Sequence, residues 1–210
     1  FMALADIRVI DLTDERGIYG TKLLADLGAQ VIRPESADGD PLRQRGPFLQ
    51  SKTGALSLWH SFFASNRTFV QVDGADPSAT QTLQRLAEAA DIICRCDQSD
   101  SAALVDIEAA KRANPGLVVV ELSSFGKEGP WSDYLAPDIV AGALGGAAAT
   151  TGDASTPPLK NFGDLNFMIS GAYAAIAALS ALYHQRNTGQ GQSATLSVHE
   201  SIASCLEQVF

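Results

Sequence analysis

Short apolar runs alternate with amphipathic stretches over the first part of the chain. The predicted strands cover residues 7–12, 30–35, 69–73, 91–96 and 116–122. The helices expected between them cover residues 18–27, 76–90 and 103–113. Gly28 is a typical stop for the first helix, and Asp76 followed by Pro77 is a typical start for the second. Strands that alternate with helices in this order predict an α/β fold with a doubly wound, mostly parallel sheet.

The pattern is less regular elsewhere in the chain. Residues 36–65 are rich in Gly and Pro and are predicted to be a loop, and a turn-rich loop begins at Ser123. The remaining predicted elements are helices over 137–149, 165–186 and 199–208 and a strand over 193–198. We expect residues 1–210 to form a single α/β domain.

Composition narrows the classes of partner. Apolar residues make up 46% of the chain and charged residues 19%, which is typical of a globular protein. The net charge of −9 argues against a nucleic-acid partner and against an anionic membrane surface. The uncharged run at 165–183 is rich in Ala and therefore predicts a buried core helix rather than a membrane span.

The cysteines and histidines indicate no metal site. Cys94 and Cys96 are too close together for the common zinc spacing, and Cys205 is far from both in the sequence. No histidine has a partner three or four residues away that would form a metal pair. The chain opens without the pattern of a secretory signal, so we expect reduced thiols and a cytoplasmic location.

Two aspartates stand at predicted helix starts. Asp138 follows Pro137, and Asp164 precedes the Ala-rich helix in "NFGDLNFMISGAYAA". Position alone favours a capping role for both, because Asp is a preferred N-cap residue. A second interpretation is open for Asp164: a helix N-terminus keeps a carboxylate ionised, and apolar neighbours desolvate it, as a nucleophile requires.

Several segments in order along the chain resemble one protein family. They are "IRVIDLT" with "LLADLGAQVIRPE", "GDPLRQRGP" (39–47), "NR" (66–67), "LSSFGKEGP" (122–130), "GDLN" (163–166), and "RNTGQGQ" with "SATLSVHES". Together they are similar to the class III CoA-transferases, the group that includes carnitine CoA-transferase, formyl-CoA transferase and α-methylacyl-CoA racemase. The resemblance covers nearly the whole chain and implies the Rossmann-like large domain of that family.

The resemblance also implies a chemistry. Asp164 would attack an acyl-CoA thioester and carry the acyl group and then CoA through an aspartyl intermediate, so that coenzyme A, as acyl-CoA, and a small carboxylic acid are the expected partners. The residues expected to contact CoA are Arg33, Arg43, Arg67, Arg95, Phe125, Gly126 and Lys127. No metal is expected.

The chain departs from the family pattern in two respects. Acidic segments such as "PESADGD" and "CRCDQSD" stand where the family usually carries basic residues that meet the CoA phosphates. The family's smaller domain and returning C-terminal segment have no counterpart in these 210 residues. We therefore expect the N-terminal CoA-binding portion of a transferase, acting as a homodimer or with a chain that supplies the missing half.

Two alternatives stay open beside transfer. One is a degenerate, non-catalytic domain that serves as a partner subunit, which the acidic substitutions favour. The other is an acyl-CoA racemase or isomerase. In that branch a His precedes the residue corresponding to Asp138; this chain has Pro137 there, and proline cannot act as an acid or a base. The racemase is therefore the less favoured of the two.

Overall fold

The computed structural model describes residues 2–52 and 54–206, which contain a six-stranded sheet and a separate two-stranded hairpin. The strands are β1 Arg8–Leu12, β2 Gln30–Glu35, β3 Phe48–Ser51, β4 Gly54–Ser57, β5 Arg67–Gln71, β6 Ile92–Cys96, β7 Val118–Ser123 and β8 Ser193–Ser197. The helices are α1 Ile18–Asp26, α2 Leu58–Phe63, α3 Pro77–Glu88, α4 Ile107–Ala113, α5 Asp138–Leu144, α6 Leu165–Thr188 and α7 Val198–Ser204.

The large sheet has the strand order β5-β2-β1-β6-β7-β8, and each neighbouring pair in it is parallel. The chain therefore starts in the middle of the sheet, builds one edge, and then crosses over to build the other. This is the order of the doubly wound Rossmann-type fold, which places ligands at the carboxyl ends of the strands. The predicted fold class is confirmed.

Alternate residues of each central strand face opposite layers of helices. Val9 and Ile92 pack in one core with α1 and α6, whereas Ile10 and Ile93 pack in a second core with α3 and α4. The two-residue repeat of a strand places every second side chain on the same face. Both faces of the sheet are thus covered, as its apolar strands require.

Helix α6 lies on the sheet and against α1. Its most apolar 18-residue window has a mean hydropathy of 1.6, enough to span a bilayer by length and composition, and 50% of that window is buried inside the fold. Ala174 and Ala178 are among its core residues. A Cβ atom on Gly20 of α1 would lie 2.5 Å from the carbonyl oxygen of Gly171, so the two helices approach at a pair of glycines. The prediction of a buried Ala-rich helix is confirmed.

The structure corrects the prediction that residues 36–65 are a loop. This segment contains a 3-10 turn at Pro41–Gln44, the hairpin β3–β4 and the short helix α2. Phe48, Leu49 and Leu56 are exposed, so the apolar residues of the hairpin do not form an alternating buried face. Helix α2 begins because the Ser57 hydroxyl accepts the His60 N–H at 3.0 Å.

Three predicted helices have different bounds. The helix expected over 103–113 is a 3-10 turn at Asp100–Leu104 followed by α4, because Asp106 caps a new helix at the Ala109 N–H. The helix expected over 137–149 ends at Leu144, just before Gly145 and Gly146. The helix expected over 199–208 is α7, which ends at Ser204; residues 207 and 208 lie outside the described residues.

Candidate active site

Asp164 precedes α6, but its side chain makes no capping bond to that helix. The Trp59 Nε1–H donates to Oδ2 at 2.8 Å, and Arg45 Nη2 donates to Oδ2 at 3.1 Å and to Oδ1 at 3.2 Å. The Asp164 side chain is only 17% exposed. Asp164 thus occupies the N-cap position, as predicted, but the predicted capping hydrogen bond is absent. Its carboxylate instead accepts hydrogen bonds from the Arg45 guanidinium and the Trp59 indole N–H, which come from distant segments.

The cap of α6 comes from Asp138, the first residue of α5. Asp138 Oδ1 accepts the backbone N–H of Phe167 at 3.2 Å, and Oδ2 accepts the Asn166 side-chain amide at 3.0 Å. Lys160 Nζ lies 3.0 Å from the same Oδ2. The first N–H groups of a helix have no partner within the helix, so this carboxylate satisfies one of them from outside. The prediction that Asp138 caps its own helix is wrong, since it caps a neighbouring one.

Aromatic rings fix the two side chains that hold Asp164. The Arg45 guanidinium lies over the Trp59 ring, 4.5 Å from its centroid, and Trp59 packs on Phe63 with 4.3 Å between ring centroids. Ser57 donates its hydroxyl to the Arg45 carbonyl oxygen and so ties this segment to the start of α2. Stacking of this kind holds a guanidinium in one orientation. Asp164 therefore faces two donors whose positions are set before any substrate arrives.

Two of the residues predicted to contact CoA, Arg33 and Arg67, lie in a buried ion network. Arg33 donates from Nη1 to Asp11 Oδ2 at 3.1 Å and from Nε to Asp40 Oδ2 at 2.6 Å. Arg67 Nη1 bonds the same oxygen of Asp11. Burial by itself raises the pKa of Asp11, but the two guanidinium groups outweigh it and hold the pKa below its usual value. These arginines are already matched by carboxylates, and their contact with CoA stays a prediction.

The other three predicted basic residues also have acidic partners. Arg43 Nη2 lies 2.9 Å from Glu35, whereas Arg95 on β6 and Lys127 lie 3.8 and 2.6 Å from Glu121 on β7. The structure thus brings Arg95 and Lys127 together at Glu121 and places Arg43 beside Glu35, at the carboxyl end of β2. Arg43 and Lys127 remain substantially exposed and keep donors accessible to a ligand.

The loop after β7 holds the remaining two predicted CoA contacts. Gly126 has a φ of 94°, and its N–H donates to the Ser123 hydroxyl at 2.9 Å. The Phe125 ring contacts Trp131 edge-on, with 5.6 Å between centroids. This aromatic pair follows the carboxyl end of β7, where an open α/β sheet places a ligand.

A cleft of about 590 Å³ lies at the carboxyl ends of β1, β2, β6 and β7. Its lining includes Phe167, one turn into α6, and Arg16, which donates to Asp97 at 2.9 Å and to the Ser124 hydroxyl at 3.2 Å. The acidic residues of its lining are Asp14, Glu15, Glu35, Asp40 and Asp100. The cleft therefore opens next to the start of the helix that follows Asp164, with a lining more acidic than basic.

The described residues offer no arrangement for a metal. Among residues 2–52 and 54–206, no group of three or more His, Cys, Asp or Glu side chains is placed to hold an ion. All three cysteines are free: Cys205 is exposed, whereas burial raises the pKa of the Cys94 and Cys96 thiols.

The sequence model of CoA-transferase family III matches residues 4–210 of this chain. The chain belongs to that family. Succinyl-CoA:(R)-benzylsuccinate CoA-transferase subunit BbsE of Thauera aromatica is 32% identical over 95% of this chain and 50% of its own length. Succinyl-CoA–D-citramalate CoA-transferase of Chloroflexus aurantiacus is 29% identical over 98% of this chain and 52% of its own length.

The fold agrees with a solved structure of the same type. A CAIB/BAIF family protein from Brucella suis superimposes with a TM-score of 0.90 at 25% identity, covering 99% of this chain and 56% of that one. This family III chain spans about half the length of the curated relatives it matches.

Sequence reasoning about this family III chain missed Arg45, Trp59 and Arg16. Arg45 lies inside "GDPLRQRGP", a segment quoted for the resemblance, and Trp59 lies in "LWHSFF", which was predicted to be loop. No local signal pairs these two residues with Asp164, because they lie in separate segments 119 and 105 positions from it in the chain.

Proposed function

We propose that this chain supplies the nucleophile and the CoA-binding fold of an acyl-CoA:carboxylate CoA-transferase, with Asp164 as the nucleophile. The observation that carries the proposal is the release of the Asp164 carboxylate from capping, since Asp138 takes that role. A carboxylate that only stabilised its helix would bond the helix N–H groups; this one is directed to a stacked Arg45–Trp59 pair.

The proposed reaction passes both groups through one carboxylate. An oxygen of Asp164 attacks the acyl carbonyl of the donor thioester, the C–S bond breaks, and the electron pair leaves with the sulfur as CoA thiolate. The thiolate attacks Cγ of the resulting anhydride and releases the donor acid, which leaves an aspartyl-CoA thioester. The acceptor carboxylate repeats the sequence in reverse, so the thioester energy is retained rather than lost to water.

Trp59 and Arg45 have defined tasks in this scheme. Their donors hold the Asp164 carboxylate in one orientation, and positioning of this kind lowers the entropic part of the barrier. They also stabilise negative charge that develops on the oxygens bonded to Cγ when thiolate or carboxylate adds there. The carboxylate is poised by charge-assisted hydrogen bonds and needs no general base.

We infer that the cleft at the carboxyl ends of the strands receives part of the CoA moiety. It adjoins the first turn of α6 through Phe167, and the loop at Phe125, Gly126 and Lys127 follows β7 at the same edge. Lys127 and Arg43 are the accessible cations of the predicted set and are suited to phosphate contacts. The acidic lining disfavours phosphates in its interior and favours the uncharged pantetheine arm there.

We further infer that a second chain or segment completes the site. The chain spans about half the length of its relatives, and large apolar side chains are exposed on α5 and just before α6: Ile139, Leu144 and the fully exposed Phe162. Exposed apolar surface of this extent is typical of an interface. A homodimer or a complex with a chain that supplies the remainder accounts for both features. The relatives' names indicate carboxylic acids as acceptors, and the cytoplasmic location stays a prediction.

The non-catalytic alternative also has an observation in its favour. Each predicted basic CoA contact already has an acidic partner within the chain. A domain that had lost CoA binding would retain this internal charge matching. Calorimetry with free CoA separates the two functions, because saturable binding contradicts the non-catalytic one. Racemisation has no comparable support, since Pro137 carries no titratable group.

Trapping of the acyl-enzyme tests the proposed function. The complete active enzyme is incubated with acyl-CoA and hydroxylamine, and mass spectrometry locates the hydroxamate. We expect a hydroxamate on Asp164 in the wild type and none in Asp164→Asn, which retains the shape of the side chain. Asp6→Asn, at an exposed surface pair, is the control and should trap normally. Absence of trapping with succinyl-CoA, formyl-CoA and other acyl donors would falsify the proposal.

A further inference from the structure

Arg45 uses only part of its donor capacity to hold Asp164. Nη2 donates to both carboxylate oxygens, at 3.1 and 3.2 Å, whereas within the described part of the chain Nε and Nη1 donate to no residue. The side chain is 32% exposed, and its planar group is fixed 4.5 Å above the Trp59 ring. A guanidinium carries five N–H donors. Arg45 is therefore a fixed cation with open donors at the reacting carboxylate.

The proposed reaction changes the charge opposite Arg45. Asp164 is an anion in the free enzyme and in its complex with acyl-CoA, but it is neutral as the anhydride and as the CoA thioester. Arg45 stays charged throughout, because a guanidinium does not deprotonate in proteins. A partly buried cation that loses its anion is left uncompensated, and another anion at that place becomes favourable. The thioester state is the state in which the free acid must bind.

We propose that Arg45 exchanges carboxylate partners during the cycle and is the binding site for the reacting carboxylate of the acid. This inference rests on the proposed function. Arg45 pairs with Asp164 in the resting enzyme and with the incoming acid when Asp164 is a thioester. An acid oxygen that attacks Cγ must lie within about 3–3.5 Å of it, which brings the acid carboxylate into the reach of a guanidinium that bonds both Asp164 oxygens.

The step balances without any further reactant. An oxygen of the Arg45-bound acid forms a bond to Cγ, the C–S bond breaks, and its electron pair leaves with CoA as the thiolate. The thiolate then adds to the acid's carbonyl carbon, the C–O bond to Asp164 breaks, and that electron pair restores the Asp164 carboxylate. Arg45 regains its original partner, and the new acyl-CoA leaves. No proton, oxidant or reductant is consumed.

The other cation close to this helix start is committed elsewhere. Lys160 Nζ lies 3.0 Å from Asp138 Oδ2 and donates to the backbone carbonyl oxygens of Asn161 and Gly163. Its three donors are thus matched by three acceptors. Within residues 2–52 and 54–206, Arg45 is the cation that pairs with Asp164, and its open donors suit a planar carboxylate.

Steady-state and trapping measurements on the complete active enzyme test the proposal. Arg45→Gln and Arg45→Lys are compared with Arg186→Gln, which removes an exposed pair with Asp6. The acceptors are one monocarboxylic and one dicarboxylic acid. For Arg45→Gln we expect the KM for both acids to rise about 10- to 100-fold, as loss of a charged hydrogen bond predicts. The yield of Asp164 hydroxamate should fall as well, because Arg45 also orients Asp164, so the KM for the acids is the readout that an orienting role alone would leave unchanged. Arg45→Lys should be intermediate.

Each other outcome has a distinct meaning. An unchanged acid KM with reduced trapping would show that Arg45 only orients Asp164, and the inference would be overturned. A rise confined to the dicarboxylic acid would place the remote carboxylate on Arg45 and overturn the assignment to the reacting one. Failure of the wild type to trap any hydroxamate would overturn the proposed function itself. Thermal unfolding of each variant identifies loss of fold, in which case Arg45→Lys decides the question.

Discussion

Asp138 Oδ1 accepts the backbone N–H of Phe167 at 3.2 Å, and this bond caps the helix that Asp164 precedes. Capping of α6 and the bonds to Arg45 and Trp59 are therefore made by two different aspartates, whereas a single N-cap residue would have to make both. Asp138 is buried and stabilises the N-terminus of α6, while the Asp164 carboxylate is bonded to Arg45 and Trp59. In the proposed function the Asp164 carboxylate forms a covalent bond in each cycle and loses its charge, and the helix keeps its cap because Asp138 provides it.

Replacement of Asp138 by Ala should affect both stability and the site. The change removes a cap and leaves Asn166 and Lys160 without their shared acceptor. We expect the free energy of unfolding to fall by about 2 kcal/mol, at the upper end for a lost cap. The freed N–H groups of α6 should then attract the Asp164 carboxylate, so the yield of trapped hydroxamate should drop. Urea unfolding and trapping measure the two effects.

Asp76→Ala provides the comparison for Asp138. Asp76 caps α3 at the surface by accepting the Ser78 N–H at 2.8 Å. Its loss should lower stability by less than the loss of the buried Asp138 cap and leave trapping unchanged. If Asp138→Ala behaved like Asp76→Ala in both measurements, the division of tasks between the two aspartates would be wrong.

Trp59→Phe should slow acylation while preserving the stack. The substitution removes the N–H that donates to Asp164 Oδ2 at 2.8 Å, but it retains an aromatic ring under Arg45 and beside Phe63. We expect the single-turnover rate of CoA release from acyl-CoA to fall about 5- to 30-fold, the equivalent of about 1–2 kcal/mol for one hydrogen bond to a charged group.

Tyr183→Phe is the matched control for Trp59. Tyr183 is exposed on α6, and the change likewise removes one polar group from an aromatic residue. Its single-turnover rate should equal that of the wild type. A Trp59→Phe enzyme that acylated at the wild-type rate would indicate that the ring, and not its N–H, is the functional part of Trp59.

Gly20→Ala should destabilise the contact between α1 and α6. The added methyl group would lie 2.5 Å from the Gly171 carbonyl oxygen, so the helices must separate. We expect a loss of about 1–3 kcal/mol, typical of overpacking, in urea unfolding. Ser180→Ala at an exposed position of α6 should change stability by less than about 0.5 kcal/mol. Equal stability of Gly20→Ala and wild type would show that the two helices adapt without cost.

The sheet was predictable because its signals are local. Strands such as β7 are apolar runs bounded by turn residues, and Gly28 and Asp76 mark helix ends by their own backbone and side-chain chemistry. The alternation of these elements predicts the doubly wound order without knowledge of any contact. The hairpin β3–β4 gave no such signal because its apolar residues are exposed.

The bonds at the site were not predictable in the same way. Position alone indicated that Asp164 caps α6, a local rule that is correct for Asp76 and Asp106. The bonds that Asp164 makes join residues 119 and 105 positions apart in the chain, to Arg45 and Trp59. A local propensity cannot anticipate such partners, and the structure departs from the local rule at the residue to which we assign the chemistry.

Acid should destabilise the protein through the buried network of Asp11, Asp40, Arg33 and Arg67. Burial opposes ionisation of Asp40, but its hydrogen bonds and the Arg33 charge hold its pKa below the usual value, and the pKa of Asp11 is also lowered. A carboxyl group whose pKa is lower in the folded than in the unfolded protein stabilises the fold. This stabilisation is complete above the unfolded pKa of about 4, and it is lost as the pH falls toward the folded pKa. Stability should therefore be level from pH 7 to 5 and decline below pH 4.

Asp40→Asn distinguishes the contribution of this network to the pH dependence of stability from that of the other carboxylates. Those carboxylates are present in both proteins, so their contributions cancel when the variant is compared with the wild type. Arg33 would lose the partner at 2.6 Å from its Nε, so the variant should be about 3 kcal/mol less stable at pH 7. The difference should narrow as the pH falls from 4 to 3, because Asp40 takes up a proton in the unfolded wild type while it stays ionised in the folded one, and the variant has no such group. Urea unfolding at pH 7, 5, 4 and 3 measures both curves. Parallel curves would mean that Asp40 is not held ionised by Arg33, and the account of the buried network would fail.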